Sequence, residues 1–397
     1  MIIELIVALL LGVTIGCLTG LTPGIHINLV SAIILSLSAI MLKFTSPIII
    51  AVLVVSMSIT HIFIDFIPSI FLGAPDENTV LSILPGHEML KEGNGYQAVY
   101  LSVFGCLISI PIIIIYSVLF ILFLPEMQSI IKLAILPVLI FSSLFIIITE
   151  KSKFSALVIF ILSGFLGIAV LNLNVNEPLL PLLTGIFGTS SLIISIKTKV
   201  KIPDQINKKP TLTKGEIISP LIASFFIAPL CSFIPALGSG QAAILASSLI
   251  KATKIKFLII LGLVNNITLA LSFIVLFSIQ KSRTGVAVII NKLIPELTLG
   301  NITIILIAII LASIISFFLT LFIAKQFSLI ISKINYSKLS VIILVLLFAI
   351  VFIFSGIFGI LILLISTSLG IYGILSNVKR INLMGCLLLP TILIYLI

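Results

Sequence analysis

GLTPGIHINLVSA, from Gly20 to Ala32, and FIPALGSGQAAILAS, from Phe233 to Ser247, are two apolar stretches that Pro and Gly interrupt in a similar way. Both residue types break helices, and a backbone group without a hydrogen-bond partner is costly in hydrocarbon. Such breaks are tolerated in a membrane only where they line a cavity or are buried in protein. A matched pair of interrupted segments in two halves of a chain is typical of a transporter binding site.

The composition of the chain places it in a membrane. Of 397 residues, 60% are hydrophobic and only 9% are charged, and the mean hydropathy is +1.44. Soluble domains carry roughly 25% charged residues. A formal net charge of +10 would suggest nucleic acid in a soluble protein, but here the Lys residues lie in short loops between apolar segments. The four cysteines lack a CxxC spacing, so we expect no disulfide framework and no metal site.

Apolar segment lengths predict an all-α polytopic membrane protein with about 12–14 transmembrane or re-entrant helices, because a span needs about 20 apolar residues. The candidate segments are 2–19, 24–42, 47–68, 97–124, 130–149, 153–171, 178–195, 217–233, 240–251, 256–279, 301–323, 338–354, 356–375 and 383–396. Segment 240–251 is too short to cross and is predicted to be a half-helix that follows a break.

The basic residues predict an orientation in the cell membrane. If the loop from Lys197 to Lys214 is cytoplasmic and the chain alternates, seventeen of the 22 Lys and Arg residues fall on the cytoplasmic side. The positive-inside rule favours this topology, with both termini outside. Only Lys43, Lys132, Lys281, Arg283 and Lys292 then lie outside.

The polar stretch 196–216 divides the chain into two similar parts. We expect a first membrane repeat at 1–195, a basic cytoplasmic linker at 196–216 and a second membrane repeat at 217–397. KFSALVIFIL from Lys153 resembles KLSVIILVLL from Lys338, and LLTGIFGTSSLIISIKTK from Leu182 resembles LLISTSLGIYGILSNVKR from Leu363. An odd number of segments separates equivalent points, so the sequence predicts inverted repeats with broken helices.

The two breaks are the predicted substrate site. Each places free backbone N–H groups at a helix start, where the helix dipole also attracts anions. The alternative is a Pro kink whose backbone groups are satisfied by a neighbouring helix. The candidate substrate-binding residues are Pro23, Gly24, His26 and Asn28 in the first break, and Pro235, Gly238, Ser239, Gly240 and Gln241 in the second.

Two polar pairs inside apolar segments are candidates for ion coupling. His61 and Asp65 stand four residues apart, which places them on one helical face, and ionisable residues within a span are usually functional. Asp65 could instead cap a helix or pair with His61. Asn265 and Asn266 hold a similar position in the second part. Their amides could coordinate a cation, or they could simply join packed helices.

A dense polar run from Phe71 to Ala98 includes an apolar core at 80–84 and predicts a re-entrant hairpin near 71–96. Asp76, Glu77 and Asn78 are further candidates for ion coupling, and His87 is a possible titrating group. The alternative is a solvated connecting loop.

The motifs PGIHINLVSA, LGAPDENTVLSILPGHEMLKEGNGYQAV and IPALGSGQAAILAS resemble the large membrane subunit (TctA) of tripartite tricarboxylate transporters, in an archaeal-type stand-alone branch. The likeness spans nearly the whole chain. It implies a secondary carrier for carboxylates that is driven by an ion gradient and works with a solute-binding protein and a small membrane subunit. The residues that match the family's signature loops are Pro23, Gly24, Asp76, Pro85, Gly86, Pro235, Gly238 and Gly240.

The chain departs from that family in length, in IPALGSG, where many members have a Pro-Gly pair, and at His26, where small residues are common. These departures leave the substrate open. We expect a multi-pass secondary transporter of a small organic anion, not an enzyme, with alternating access, Na⁺ or H⁺ as coupling ion, and no cofactor or nucleic-acid partner. A lipid-linked (polyprenyl) phosphate translocase is the first alternative, and an intramembrane enzyme that uses His61/Asp65 or His87/Glu88 is the second.

Overall fold

The structure, a computed structural model, describes residues 2–22, 27–73, 83–197, 202–232, 239–333, 336–376 and 378–396. Within these ranges the regular structure is helical, without strands. Eight helical segments of the described chain are long and apolar enough to cross a membrane: Ile2–Leu21, Pro47–Leu72, Gly95–Met127, Lys153–Leu171, Lys214–Cys231, Lys254–Ile279, Leu299–Ile331 and Ser337–Leu375. The predicted all-α polytopic membrane fold is confirmed.

The helices that precede the polar linker are α1 Ile2–Leu21, α2 Ile27–Met41, α3 Pro47–Ile67, α4 Ile83–Lys91, α5 Gly95–Ile108, α6 Ile110–Ile148, α7 Lys153–Leu171, α8 Leu179–Leu183 and α9 Ser190–Lys197. Two π-helical segments extend them, Pro68–Leu72 after α3 and Thr184–Thr189 between α8 and α9. Gly73 ends the first of these in the left-handed region, with φ 66°.

The helices that follow the linker are α10 Lys214–Cys231, α11 Ser239–Ser248, α12 Lys254–Ile279, α13 Gly285–Leu293, α14 Leu299–Ile331, α15 Tyr336–Leu375 and α16 Gly385–Leu396. A 3₁₀ turn, Arg380–Met384, leads into α16. The ten residues of α11 match the short half-helix that the sequence predicts.

Helices α3 and α12 form the centre of the molecule. Every residue of α3 from Ile49 to Ile67 is buried, and so is every residue of α12 from Leu258 to Leu276. The outer helices expose large apolar side chains, such as Phe318 and Phe322 on α14 and Ile353 on α15. A helix that is apolar and exposed on its outer side suits a lipid environment, whereas one buried on all sides packs only against protein.

Helices of the two parts pack against each other in reciprocal pairs. Helix α3 packs against α14, and α12 packs against α5. In the same way α7 packs against α16, and α15 packs against α8, α9 and the π-helical segment between them. Each central helix also packs against the first helix of its own part: α3 against α1, and α12 against α10.

Small residues allow these helices to approach closely. On α1, Gly12, Gly16 and Gly20 face α3, and a Cβ at Gly16 would lie 2.8 Å from the Cβ of Thr60. Between α5 and α12, a Cβ at Gly262 would lie 2.9 Å from the amide nitrogen of Cys106. Small residues spaced four apart are typical of helix contacts in membranes, where packing rather than the hydrophobic effect drives association.

The spans at 97–124 and 130–149 differ from their predicted form. The structure continues as one helix, α6, from Ile110 to Ile148, with Pro125 and Pro137 inside it. Proline removes one backbone bond and kinks a helix, but a membrane helix can continue through it. The break predicted near 355 is present within α15, where Gly356 has φ 64° and ψ −160°.

The described part of the linker, 202–213, lies against both halves. The Ile206 amide donates to the carbonyl of Gly93 at 2.7 Å, and the Gly95 amide donates to Gln205 Oε1 at 2.8 Å. The hydroxyl of Ser328, near the end of α14, donates to the Asn207 side chain. The linker therefore joins the loop between α4 and α5 to the end of α14.

Candidate functional site

The structure places some of the candidate residues and leaves others undescribed. Eight of them lie outside the described residues: Pro23, Gly24, His26, Asp76, Glu77, Asn78, Pro235 and Gly238. Asn28 and Gln241 are placed by their backbones within α2 and α11. The remaining candidates are on helices and buried: His61, Asp65, Ser239, Gly240, Asn265 and Asn266.

His61 and Asp65 lie deep in α3, one helical turn apart, and Asp65 is only 5% exposed. The glycine face of α1 brings Thr19 within reach, so that His61 Nδ1 and Thr19 Oγ1 are 3.0 Å apart. Thr19 also donates to the carbonyl of Gly16 at 3.2 Å. The α1–α3 contact therefore holds the His61 ring in one orientation.

Asn266 lies at a three-helix junction at the middle of α12. Its Nδ2 is 3.0 Å from the carbonyl of Cys106 on α5, 2.9 Å from Oγ of Ser109 between α5 and α6, and 3.4 Å from Ser313 Oγ on α14. Its Oδ1 has no hydrogen-bond partner among the described residues. The Nδ2 group thus joins packed helices, as the simpler interpretation predicts. The Oδ1 atom is an acceptor that the described residues leave unused.

Helix α14 connects the two central helices through hydroxyl groups. Ser316 donates to Thr60 on α3 at 2.8 Å, one turn away from the contact between Ser313 and Asn266 on α12. Thr60 and His61 are neighbours in sequence and so point about 100° apart on their helix. The same holds for Asn265 and Asn266. On each central helix one polar residue faces α14 and its neighbour faces elsewhere.

The helices that follow the two breaks lie beside this centre. Helix α2 packs against α3 and α13, and α11 packs against α10 and α12. Ser239 and Gly240, at the start of α11, are buried. The first described residue of each short helix, Ile27 in α2 and Ser239 in α11, is thus buried in the protein.

The hairpin candidates His87 and Glu88 lie away from His61. A Cβ on Gly73 would be 2.5 Å from His87 Nε2, so the ring occupies the space beside the left-handed turn that ends the π-helical segment. Glu88 pairs with Lys254 at 2.8 Å. Desolvation, followed by the charges of Lys91 and Arg380, lowers the pKa of His87 to about 3. This direction of the pKa shift favours the neutral imidazole of His87.

Arg380 is a buried cation that sequence reasoning counted only as a topology marker. It is 7% exposed, and its guanidinium donates to two serines and two carbonyls near the start of α9. The hydrogen-bond distances are 2.6 Å to Ser191 Oγ, 2.7 Å to Ser190 Oγ, 3.0 Å to Phe187 O and 3.1 Å to Ile186 O. Its position directly after Lys379, in a loop, gives no sign of burial.

A metal centre does not emerge from these positions. Within the described ranges, no three His, Cys, Asp or Glu side chains are close enough together to hold a metal ion. The site consists instead of hydroxyl, amide, imidazole and carboxyl groups on buried apolar helices. This is the kind of polar centre that multi-pass transporters build between spans.

Comparison with known proteins defines the family. A sequence profile described as "Tripartite tricarboxylate transporter TctA family" matches residues 6–385. The uncharacterized protein MJ1079 of Methanocaldococcus jannaschii is 33% identical over 406 residues, which cover 98% of each chain. No solved structure matches the chain. The protein belongs to the TctA family of multi-pass membrane transporters, as its motifs predicted.

Proposed function

We propose that this protein is a secondary active transporter of a small organic anion, with carboxylates as the substrate class. The observation that carries the proposal is the pair of short helices α2 and α11, whose first described residues are buried beside the two buried central helices α3 and α12. Helix starts of this kind offer backbone N–H groups to an anionic head group. The substrate site would then be formed at the two breaks by the nine candidate residues named above, four between Pro23 and Asn28 and five between Pro235 and Gln241.

The same proposal includes two inverted repeats, 1–195 and 217–397. The reciprocal helix pairs support it, because α3–α14 would correspond to α12–α5, and α7–α16 to α15–α9, if the two halves were related by a pseudo-two-fold axis. Alternating access would be the movement of one repeat against the other about the central helices.

The two polar pairs are assigned to ion coupling. His61 and Asp65 are buried ionisable groups on α3, and Asn266 Oδ1 on α12 is an acceptor without a partner among the described residues. A carboxylate with nearby hydroxyl and amide oxygens suits Na⁺, and a carboxylate beside an imidazole suits a proton. Asp76, Glu77 and Asn78 belong to the same proposal as contributors from the hairpin near 71–96.

Orientation and partners complete the proposal. Ion pairs connect basic loops at one face of the protein. Lys254 pairs with Glu88 and Glu92, and Lys379 pairs with Glu150. We assign this face to the cytoplasm, because it carries most of the Lys and Arg residues. Family members work in tripartite systems, so a solute-binding protein and a small membrane subunit would bind elsewhere on the chain.

Uptake into proteoliposomes tests the proposal. Labelled citrate, succinate and other carboxylates would be offered under an imposed Na⁺ or proton gradient. We expect gradient-driven uptake that Gly24→Val and Gly240→Val abolish, because a branched side chain would block the helix start. Gly215→Val is the matched control, since Gly215 is exposed and has no neighbour within 4 Å of an added Cβ. Uptake that survives both break variants would contradict the site.

A lipid-linked phosphate is the second candidate, favoured by one observation. A cavity of about 300 Å³ between α6 and α10 is lined by apolar side chains, among them Tyr116, Phe120 and Phe226. A polyprenyl chain would need an apolar lateral opening of this kind. Absence of carboxylate uptake, together with flipping of a labelled polyprenyl phosphate that Phe120→Ser reduces, would favour this candidate.

A further inference from the structure

A second cavity, which we call the Arg380 cavity, opens between α4, α11, the start of α12 and the 3₁₀ turn before α16. Its volume is about 370 Å³, within the range of small-molecule sites. Three cationic side chains and one acidic side chain line it, namely Lys254, Lys379, Arg380 and Glu88. Among the described residues that line it, none is a substrate-binding or ion-coupling residue assigned above.

Arg380 differs from the other two cations of this cavity. Lys254 has carboxylate partners in Glu88, at 2.8 Å, and Glu92, at 3.0 Å. Lys379 is largely exposed and lies 3.7 Å from Glu150. The hydrogen bonds of Arg380 all go to neutral serine hydroxyls and backbone carbonyls. No carboxylate of the described residues pairs with Arg380, so the described part of the chain supplies no counter-ion for this buried charge.

The guanidinium makes all of these hydrogen bonds through its two terminal nitrogens. Both terminal nitrogens are held by the segment from Ile186 to Ser191, and the ring of Phe187 stacks 5.5 Å from the guanidinium carbon. The remaining Nε has no hydrogen-bond partner among the described residues, although it is buried. A buried charge is costly unless it is paired, and arginine forms strong charge-assisted bonds with carboxylate and phosphate oxygens.

We propose that the Arg380 cavity binds a small oxyanion, a carboxylate or a phosphate, with Arg380 as its buried counter-ion and Nε as a donor. Ser190 and Ser191 position the guanidinium rather than contact the anion. Lys254 and Lys379 add positive potential at the rim, which attracts anions from the aqueous side. Its described lining residues are not those of the transport site proposed above, and binding there requires no transport.

Thermal unfolding of the full chain in detergent tests this proposal. Cys106, Cys231 and Cys386 are buried, so a thiol-reactive dye reports their exposure as the protein unfolds. Sodium citrate and sodium phosphate would be titrated separately, against sodium chloride at equal ionic strength. We expect one or both to raise Tm saturably by about 2–4 °C over chloride. The anion that acts identifies the source, and no rise with either would overturn the proposal.

Two variants assign the effect to Arg380. Arg380→Gln should abolish the rise in Tm, whereas Lys379→Gln, a neighbouring charge at the rim, should keep most of it. A folded Arg380→Gln protein with the full rise would contradict the assignment. Because Arg380 also holds α9, the first variant can fail to fold, and Ser247→Glu then replaces it.

Ser247 lines the same cavity from α11, so the glutamate supplies an internal counter-ion. Ser247→Glu should raise Tm without added anion and remove the response to citrate or phosphate. A lower Tm with an undiminished response would overturn the proposal. These outcomes are independent of uptake: a protein that transports carboxylates but shows no Arg380-dependent shift would refute only the second site.

Discussion

The two central helices have the same burial but different polar chemistry. Helix α3 carries an imidazole and a carboxyl group, His61 and Asp65, whereas α12 carries two amides, Asn265 and Asn266, in a similar position. Each helix gives one polar side chain to α14, Thr60 from α3 and Asn266 from α12. The two central helices thus differ in chemistry, because only α3 carries ionisable side chains at this position.

This difference indicates how the two halves would share the work of transport. An amide has the same charge at every accessible pH, so α12 offers fixed hydrogen-bond donors and acceptors. A carboxyl group and an imidazole can exchange protons or balance the charge of a cation. Under the proposed function, the response to an ion gradient would therefore fall to α3, and a constant structural role to α12.

The close α5–α12 contact gives the largest expected effect. Gly262→Ala would place a Cβ 2.9 Å from the Cys106 amide nitrogen and against the backbone of Ser102, so the helices must separate. We expect a loss of about 3 kcal/mol in the free energy of unfolding. Gly215→Ala, in an open position on α10, should instead stabilise by about 0.5–1 kcal/mol. Equal behaviour of the two variants in thermal unfolding would show that α12 is not held by this contact.

The amide of Asn266 gives the next effect in size. Asn266→Leu removes a donor that faces Cys106 O, Ser109 and Ser313, and should cost about 1.5–2 kcal/mol. Thr320→Val is the control, because the Thr320 hydroxyl bonds only within its own helix, to the Ser316 carbonyl at 2.6 Å. If Asn266→Leu lowered the free energy of unfolding less than Thr320→Val, Asn266 would have no structural role, and this difference between α12 and α3 would not hold.

The short helices that follow the two central helices differ as well, because α4 carries a histidine, His87, and α13 carries none. The titration of His87 makes this difference measurable. Its pKa of about 3 lies below that of an unfolded histidine, near 6.5. Between these values the unfolded chain binds a proton that the folded chain does not, so stability falls as pH decreases from 6.5 toward 3. The slope is up to about 1.4 kcal/mol per pH unit.

The variant His87→Asn should flatten this part of the pH profile. The measurement is the apparent free energy of unfolding between pH 7 and pH 4, followed by far-UV circular dichroism. Lys91→Gln is the matched partner, because it removes a charge that lowers the pKa of His87 while it keeps the imidazole. It should reduce the slope only in part. An unchanged profile in His87→Asn would mean that His87 is protonated in the folded protein.

The sequence predicts the fold through features that are local. Apolar runs of the right length give the spans, and Gly and Pro give the break at Gly356 and the ten-residue helix α11. Proline alone is ambiguous in a membrane, which is why the end predicted near Pro125 is absent and α6 continues. The spacing of Gly12, Gly16 and Gly20 was a readable signal for the α1–α3 contact that sequence reasoning missed.

The candidate site was predictable in its residue types but not in its partners. His61, Asp65 and Asn266 stand out because polar residues are rare in the spans. Their neighbours, such as Thr19 and Ser313, are small hydroxyl residues of the kind found throughout apolar helices. Which of these face a polar group depends on helix rotation, and this is set by packing between distant segments. Arg380 was missed for the same reason, since its burial depends on α9.

The smallest expected effect concerns the orientation of His61, and it addresses the role of α3 most directly. Thr19→Val removes the hydroxyl 3.0 Å from His61 Nδ1 while it keeps the side-chain volume. Hydrogen bonds between membrane helices contribute about 0.6 kcal/mol on average, so unfolding should change little. Thr14→Val is the control, because Thr14 is exposed and bonds only to the Leu10 carbonyl of its own helix. If α3 carries the coupling, Thr19→Val should alter the gradient dependence of uptake more than its stability, and Thr14→Val should alter neither. An unchanged gradient dependence in Thr19→Val, together with an altered one in Asn266→Leu, would transfer the ion response from α3 to α12.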